Sequence, residues 1–265
     1  MKTTLFDRPW LLTQEYHAQL AARAAVWQGR TQTEFSPFAA PVPQTVKKGD
    51  VAVINVSGVL MKRPGKFESW CGATDLDAVA DELFAADHDP AVAAVLVHFD
   101  SPGGSVTGIP ELAARLADLS KFAIAYTDTL CASAAYWLAS QCGAVLAAPS
   151  AIVGGVGVFV PVRDCRAAYA SMGISVEIIK SGQYKGAGVP GTSLTDGQRQ
   201  LLQDEVNAIH SQFKAAVRER RAAVTDADME GQTFRGADAA ARGLVTGLAA
   251  DLDAAVEKVR AWLPR

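Results

Sequence analysis

The chain reads as an α/β protein built from repeated βαβ units, and three observations lead there. Short, β-branched apolar runs recur at residues 51–56, 92–99 and 122–126, too short for buried helices and rich in the residues that suit a pleated surface. Segments with helical periodicity lie between them, the first over about residues 75–84. With 265 residues, 49% of them hydrophobic and 20% charged, the chain is long enough to bury a core without disulfides or a structural metal. Strands that alternate with helices pair in parallel through right-handed crossovers, and in such sheets ligands collect at the carboxyl ends of the strands.

The elements follow in order. Residues 1–48 form an arm and linker, in which Leu12, Tyr16, Leu20, Ala24 and Trp27 recur every three or four residues as on one face of a helix, before the loop signal SPFAAPVPQ at 36–44. The core, 49–250, opens with the strand at 51–56 and the helix near 75–84. The run 92–99 then stops abruptly in Asp100-Ser101-Pro102-Gly103-Gly104. After 122–126 a polar turn leads into the small-residue segment ASAAYWLAS, and further strands are expected at 144–147 and 174–179. A polar helix spans about 195–224, and the closing piece, 251–265, carries an amphipathic helix over 251–263. No internal repeat is evident.

Composition excludes several classes. A net charge of −3, from 25 basic and 28 acidic residues, argues against nucleic acid or an anionic membrane as the partner. Thr129 to Val162 is a run of 34 residues without any charge, where average composition would put about seven. That is long enough to cross a bilayer, but Ser133, Ser140, Gln141, Pro149 and four glycines divide it into pieces too short to do so. The first residues lack the basic start, apolar core and cleavage site of a secretory signal. Cys71, Cys131, Cys142 and Cys165 form no C-x-x-C pair and sit in or beside apolar segments, as buried thiols do in a reducing compartment. The expectation is a soluble, cytoplasmic protein with neither membrane anchor nor metal.

Three features carry candidate chemistry. Ser133 follows a strand and a short turn, is flanked by Ala132, Ala134 and Ala135, and opens a helix whose first N–H groups are free; on position alone it reads as a helix N-cap. Gly103 and Gly104, after Pro102 at a strand end, are able to adopt φ > 0 and present N–H groups to a ligand, and are equally read as an ordinary turn. An oxyanion hole would take one such N–H and that of Ala134. Lys185 lies in SGQYKGAG, rich in glycine and placed after the 174–179 run, where a solvated surface lysine is the plain alternative. For a serine nucleophile it is a better base than any histidine: His17 and His88 look like surface positions, His98 sits in an apolar strand, and His210 is distant in sequence. The basic run 218–221 reads as a solvated helix end, and the five tryptophans as core or interface anchors.

Taken together, DSPGG at 100–104, CASAAYWLAS around Ser133, IVGGVGVF at 152–159, SGQYKGAG around Lys185 and GQTFRGADAAARGLVTGL at 231–248 resemble the signal peptide peptidase A family of serine peptidases. The resemblance covers about residues 49–260. It implies a ClpP/crotonase-type spiral of βαβ units, a Ser133 nucleophile, Lys185 as general base, and an oxyanion hole from Gly104, with Gly103 beside it, and Ala134. Ser133 would attack the scissile carbonyl while Lys185 takes its proton, and losing one oxyanion donor would cost roughly 100- to 1,000-fold in kcat. It implies no cofactor and a homo-oligomeric ring acting on protein or peptide substrates. One departure stands out: where many members carry a serine that orients the lysine, this chain has Gly155. The arm with Pro9-Trp10 near its start resembles bacteriophage head-maturation proteases, implying scaffold or capsid proteins as substrates, in the host cytoplasm or the assembling prohead. The alternatives are a housekeeping peptidase of the same family, a crotonase-like acyl-CoA enzyme, and a catalytically weak ring-forming assembly module.

Overall fold

A computed structural model describes residues 10–12 and 42–263. The chain first forms β1 (Trp10–Leu12) and β2 (Gln44–Lys48). β2 turns back at Gly49, whose φ of +62° suits a two-residue hairpin, into β3 (Val51–Ser57), a nearly continuous buried run as expected of an interior strand. β4 (Val59–Met61), α1 (Lys66–Trp70) and β5 (Ala73–Asp75) follow. The expected helix is α2 (Leu76–His88): the Asp75 carboxylate caps it by accepting from the Asp77 N–H, and Leu76, Val79, Leu83 and Ala86 bury one face. β6 (Ala94–Asp100) ends at the glycines of β7 (Gly103–Ser105). α3 (Ile109–Ala117) has a proline in its first turn, where no N–H is needed, and buries Ile109, Leu112, Ala113 and Leu116.

The charge-free stretch supplies the next elements after β8 (Phe122–Thr127): β9 (Leu130–Ala132), α4 (Ala134–Gln141), β10 (Ala144–Ala147) and β11 (Ile152–Gly154). All eight residues of α4 are buried, which is the situation of a helix lacking any polar face. The Trp137 ring stacks on Phe213 at 4.6 Å, and the Tyr136 hydroxyl donates to the Leu244 carbonyl at 2.7 Å. Then come α5 (Arg166–Ser171) and α6 (Asp196–Arg220), the latter opened by a Thr195/Gln198 capping box. β12 (Thr233–Arg235), α7 (Gly236–Ala241), β13 (Gly247–Leu248) and α8 (Leu252–Trp262), capped by Asp251, complete the described chain.

The main sheet has the order β13-β10-β8-β6-β3-β2, parallel except for the antiparallel edge strand β2. β3, β6, β8, β10 and β13 therefore lie side by side in chain order, each connection adding one turn of a spiral. Val95, Val97 and Phe99 of β6 face the cluster that includes α2, α3, α4 and α6. The alternate residues Ala94 and Leu96, with Ile124 and Tyr126, meet α8 through Ala255, Val256 and Val259. Two smaller sheets, β1-β7-β4-β5 and β12-β11-β9, carry the segments singled out above. Among the described residues no helix is long and apolar enough to cross a membrane, and no group of three or more His, Cys, Asp or Glu side chains is arranged to hold a metal.

Three expectations need correction. Residues 174–179 form no strand and are mostly exposed; β-propensity without a neighbouring edge gives no ladder. Leu12, assigned to a helical face, lies in β1, while Tyr16, Leu20, Ala24 and Trp27 fall outside the described residues. Arg221, expected in solvent, is buried, and its guanidinium donates to the Cys142 carbonyl at 2.7 Å. That contact satisfies the carbonyl just past the end of α4.

Candidate active site

Ser133 joins β9 to α4 with φ 55° and ψ −120°, and only Arg63 shares a positive φ among the described non-glycine residues. For a residue with a Cβ this conformation costs of order 1–3 kcal/mol and persists only where the surroundings impose it. The imposition is visible. The Ser133 N–H donates to the Gly154 carbonyl at 2.7 Å, and its own carbonyl accepts from the Trp137 N–H at 2.9 Å. Although Ser133 stands at the N-cap position, its side chain makes no capping hydrogen bond, so capping does not explain the residue. The N–H groups of Ala134, Ala135 and Tyr136 find no backbone acceptor among the described residues, as expected of a helix start. Ser133 itself is 2% exposed.

Ser101 ties the glycine strand to this turn. Its N–H donates to the Leu130 carbonyl at 2.8 Å and its carbonyl accepts from Ala132 at 3.1 Å, bridging the end of β6 to β9. Its hydroxyl donates to the Gly58 carbonyl at 2.7 Å and accepts from the Gly103 N–H at 3.2 Å. The Gly103 donor, at φ 104°, is therefore engaged. A β-carbon on Gly104 would overlap the Leu60 carbonyl of β4, so only glycine lets β7 approach that strand. α4 packs against β7, so the helix that begins at Ala134 lies against the strand that carries Gly103 and Gly104.

The glycine-rich segment forms the floor. Gly155 has φ +67°, and a β-carbon there would sit 3.2 Å from the Ser133 nitrogen. A side chain at that position would thus be both strained and crowded. Burial pushes the Cys131 thiol, in β9 just before the serine turn, well above its usual range and that of Cys142, at the far end of α4, to about 12. Neither buried cysteine is therefore available as a thiolate nucleophile.

Lys185 has a different environment. It is exposed, in a turn where its N–H donates to the Gly182 carbonyl at 3.2 Å. Gln198, at the start of α6, reaches the Tyr184 and Lys185 carbonyls at 3.4 Å. The structure gives no hydrogen bond between Lys185 and Ser133, and Lys185 is exposed where Ser133 is buried. The physical reason is the missing strand at 174–179, which leaves the turn carried by exposed chain.

The described histidines offer no substitute. His98 belongs with Ala94 and Leu96 by strand alternation, so it faces the α8 side of the sheet, opposite α4. There it bonds Asn55 at 3.1 Å and Asp128 at 2.9 Å and stacks on Tyr126. His88 bonds the Phe84 carbonyl in its own helix, and His17 lies outside the described residues. His210 Nε2 contacts the Met229 carbonyl at 2.8 Å and that of Val156 at 3.2 Å, which fixes the chain just after Gly155. Sequence reasoning did not find that positioning role or the one of Ser101; the only signal was the place of Ser101 inside DSPGG.

The chain is 30% identical over 209 residues to the capsid assembly protease C of Escherichia phage lambda, across 77% of this chain and 47% of that protein. It is also 30% identical over 207 residues to the head-tail preconnector protein GP5 of Enterobacteria phage P21, across 76% of this chain and 40% of that protein. It thus spans about half or less of these relatives' lengths. An enoyl-CoA hydratase/isomerase from Marinobacter aquaeolei, 15% identical, superposes with a TM-score of 0.50 over 83% of this chain and 75% of that one, a likeness of fold alone. The fold is of the ClpP/crotonase type. The sequence profile of peptidase family S49 matches residues 116–262, from the end of α3 through the serine turn to α8, and the chain belongs to that family.

Proposed function

We propose that the chain is a serine endopeptidase in which Ser133 is the nucleophile and Lys185 the general base. The observation that carries the reading is the Ser133 turn: a non-glycine residue held at φ 55°, with an uncapped hydroxyl, at a helix start whose first N–H groups have no backbone acceptor among the described residues. Strain imposed on a buried serine by hydrogen bonds from both sides is the mark of a site built for a reaction. Ser133 Oγ attacks the scissile carbonyl as Lys185 accepts its proton. The oxyanion is met by the Gly104 and Ala134 N–H groups, Gly103 being engaged by Ser101. Lys185 then gives the proton to the leaving amine, and water hydrolyses the acyl-enzyme.

Bringing Lys185 to the serine requires residues 159–195 to pack, and their exposed Met172, Ile174, Ile179 and Tyr184 side chains suit a second copy of the chain in a homo-oligomeric ring. The similarity to phage proteins named for capsid assembly and head–tail connection supports proteins of the phage head as substrates. The test is cleavage of a co-expressed phage scaffold or portal-type protein. Ser133→Ala and Lys185→Ala are each expected to abolish product while leaving the melting curve in place. Full cleavage by Ser133→Ala removes the nucleophile assignment; full cleavage by Lys185→Ala removes only the base.

A further inference from the structure

β7 is a strand of three residues with two edges. One pairs in parallel with β4 through Leu60 and Gly104. The other is taken by a segment far away in sequence: β1 runs antiparallel to β7, with Trp10 opposite Ser105, Leu11 opposite Gly104 and Leu12 opposite Gly103. Apart from this pairing, β1 adds nothing to the main sheet or to the β12-β11-β9 sheet. The chain thus places an extended stretch of itself against Gly103 and Gly104, with Leu11 at the register position of Gly104.

An extended peptide that adds to an exposed sheet edge gains its affinity from main-chain hydrogen bonds, and those bonds are indifferent to whether the added strand is tethered. A peptidase acting on varied protein segments has reason to bind them by backbone in this way. Gly104, the proposed oxyanion donor, is the residue of β7 that pairs with Leu11 of β1, so a substrate strand added at that edge would take the place of β1. Two strands cannot share one edge, so a substrate strand and β1 exclude each other.

We infer that β1 is an intramolecular occupant of the substrate-binding edge of β7, and that an extended peptide substrate binds only by displacing residues Trp10–Leu12. The inference rests on the serine peptidase reading, since it takes the neighbourhood of Gly104 and Ser133 as the place of cleavage. A tethered strand competes at an effective concentration in the millimolar range, so a free peptide needs to be present at high concentration to enter. The arm therefore keeps the site closed to weak or dilute substrates and yields to segments that bind tightly or are delivered at high local concentration, as within an assembly.

Backbone chemistry provides the test. In an antiparallel ladder, successive residues direct their N–H groups to opposite sides, so the double change Leu11→Pro/Leu12→Pro removes at least one donor that faces β7 in either phase of the ladder. The measurement is fluorescence anisotropy of a labelled peptide with the sequence of residues 8–15 (RPWLLTQE), titrated with the full chain carrying Ser133→Ala so that nothing is cleaved. With the native arm, binding is expected to be weak; with the proline arm, the Kd is expected to fall at least tenfold. A chain lacking residues 1–12 should show the same gain, which guards against a folding defect particular to the prolines. Equal Kd values for the native, proline and shortened arms overturn the inference. The cleavage assay with Ser133 intact is read separately: a Ser133→Ala variant that still cleaves defeats the proposed function, while the binding comparison continues to judge the arm.

Discussion

At Ser133 two demands on one residue conflict. The proposed nucleophile requires a hydroxyl at this turn, whereas a φ of 55° is adopted without strain only by glycine. Ser133→Gly is therefore expected to raise stability by about 1 kcal/mol, which in a chain of this size moves Tm up by roughly 2–4 °C, while removing activity. Ser133→Ala keeps the β-carbon and with it the strain, so its Tm should stay near that of the native chain. Calorimetry of both variants decides the matter: a glycine variant that melts no higher than the alanine one would show that the turn is not strained. Gly155 faces the same conformational rule with the opposite outcome. At φ +67° and beside the Ser133 nitrogen, glycine removes both strain and crowding. The place of Ser133 could be read from its small neighbours and its distance from the preceding strand. Its dihedral angles could not, because they follow from the Gly154 carbonyl that holds its N–H.

Among the elements, α4 links the site to the rest of the molecule. It begins at the serine, packs on β7, and stacks Trp137 on Phe213 of the long helix α6 with the rings 7° from parallel. Trp137→Ala should cost about 3–5 kcal/mol, read as a lower urea midpoint with an unchanged slope. A loss below 1 kcal/mol would mean that α6 is not anchored there. Most elements were legible as patterns. The period-2 and 3.6 signals around residues 51–56, 75–84, 122–126 and 195–224 correspond to β3, α2, β8 and α6, and Asp75, Thr195 and Asp251 are the caps that mark helix starts. The run 174–179 has comparable composition but no strand to pair with, and it stays exposed. In the arm, the helical spacing beginning at Leu12 obscured a strand that exists only because the β7 edge accepts it.

For the molecule as a whole, the distribution of apolar surface is the informative feature. The spiral core is well covered on both faces of the main sheet, yet Ile179 is 95% exposed, and Met172 and Ile174 are exposed nearby. In the proposed ring this segment lies between copies, so Ile179→Asp should shift the chain toward smaller species in sedimentation velocity and reduce cleavage with it. A variant that sediments like the native chain removes Ile179 from the interface. The same packing would decide whether Lys185 meets Ser133, which ties catalysis to assembly.

The amino-acid order alone was enough to predict the βαβ succession and to single out Ser133 and the glycines after β6 as candidates, because periodicity, capping residues and strand-end motifs are local properties of the chain. Three matters lay beyond it: which residue bears the strain, which strand fills the edge of β7, and where the lysine turn comes to rest. Each depends on contacts between segments far apart in sequence, the Gly154 carbonyl on Ser133, Leu11 opposite Gly104, and an unpaired 174–179 run. Such contacts are selected by the competition of the entire chain for a limited number of sheet edges and buried hydrogen bonds, and no single segment carries the record of that competition.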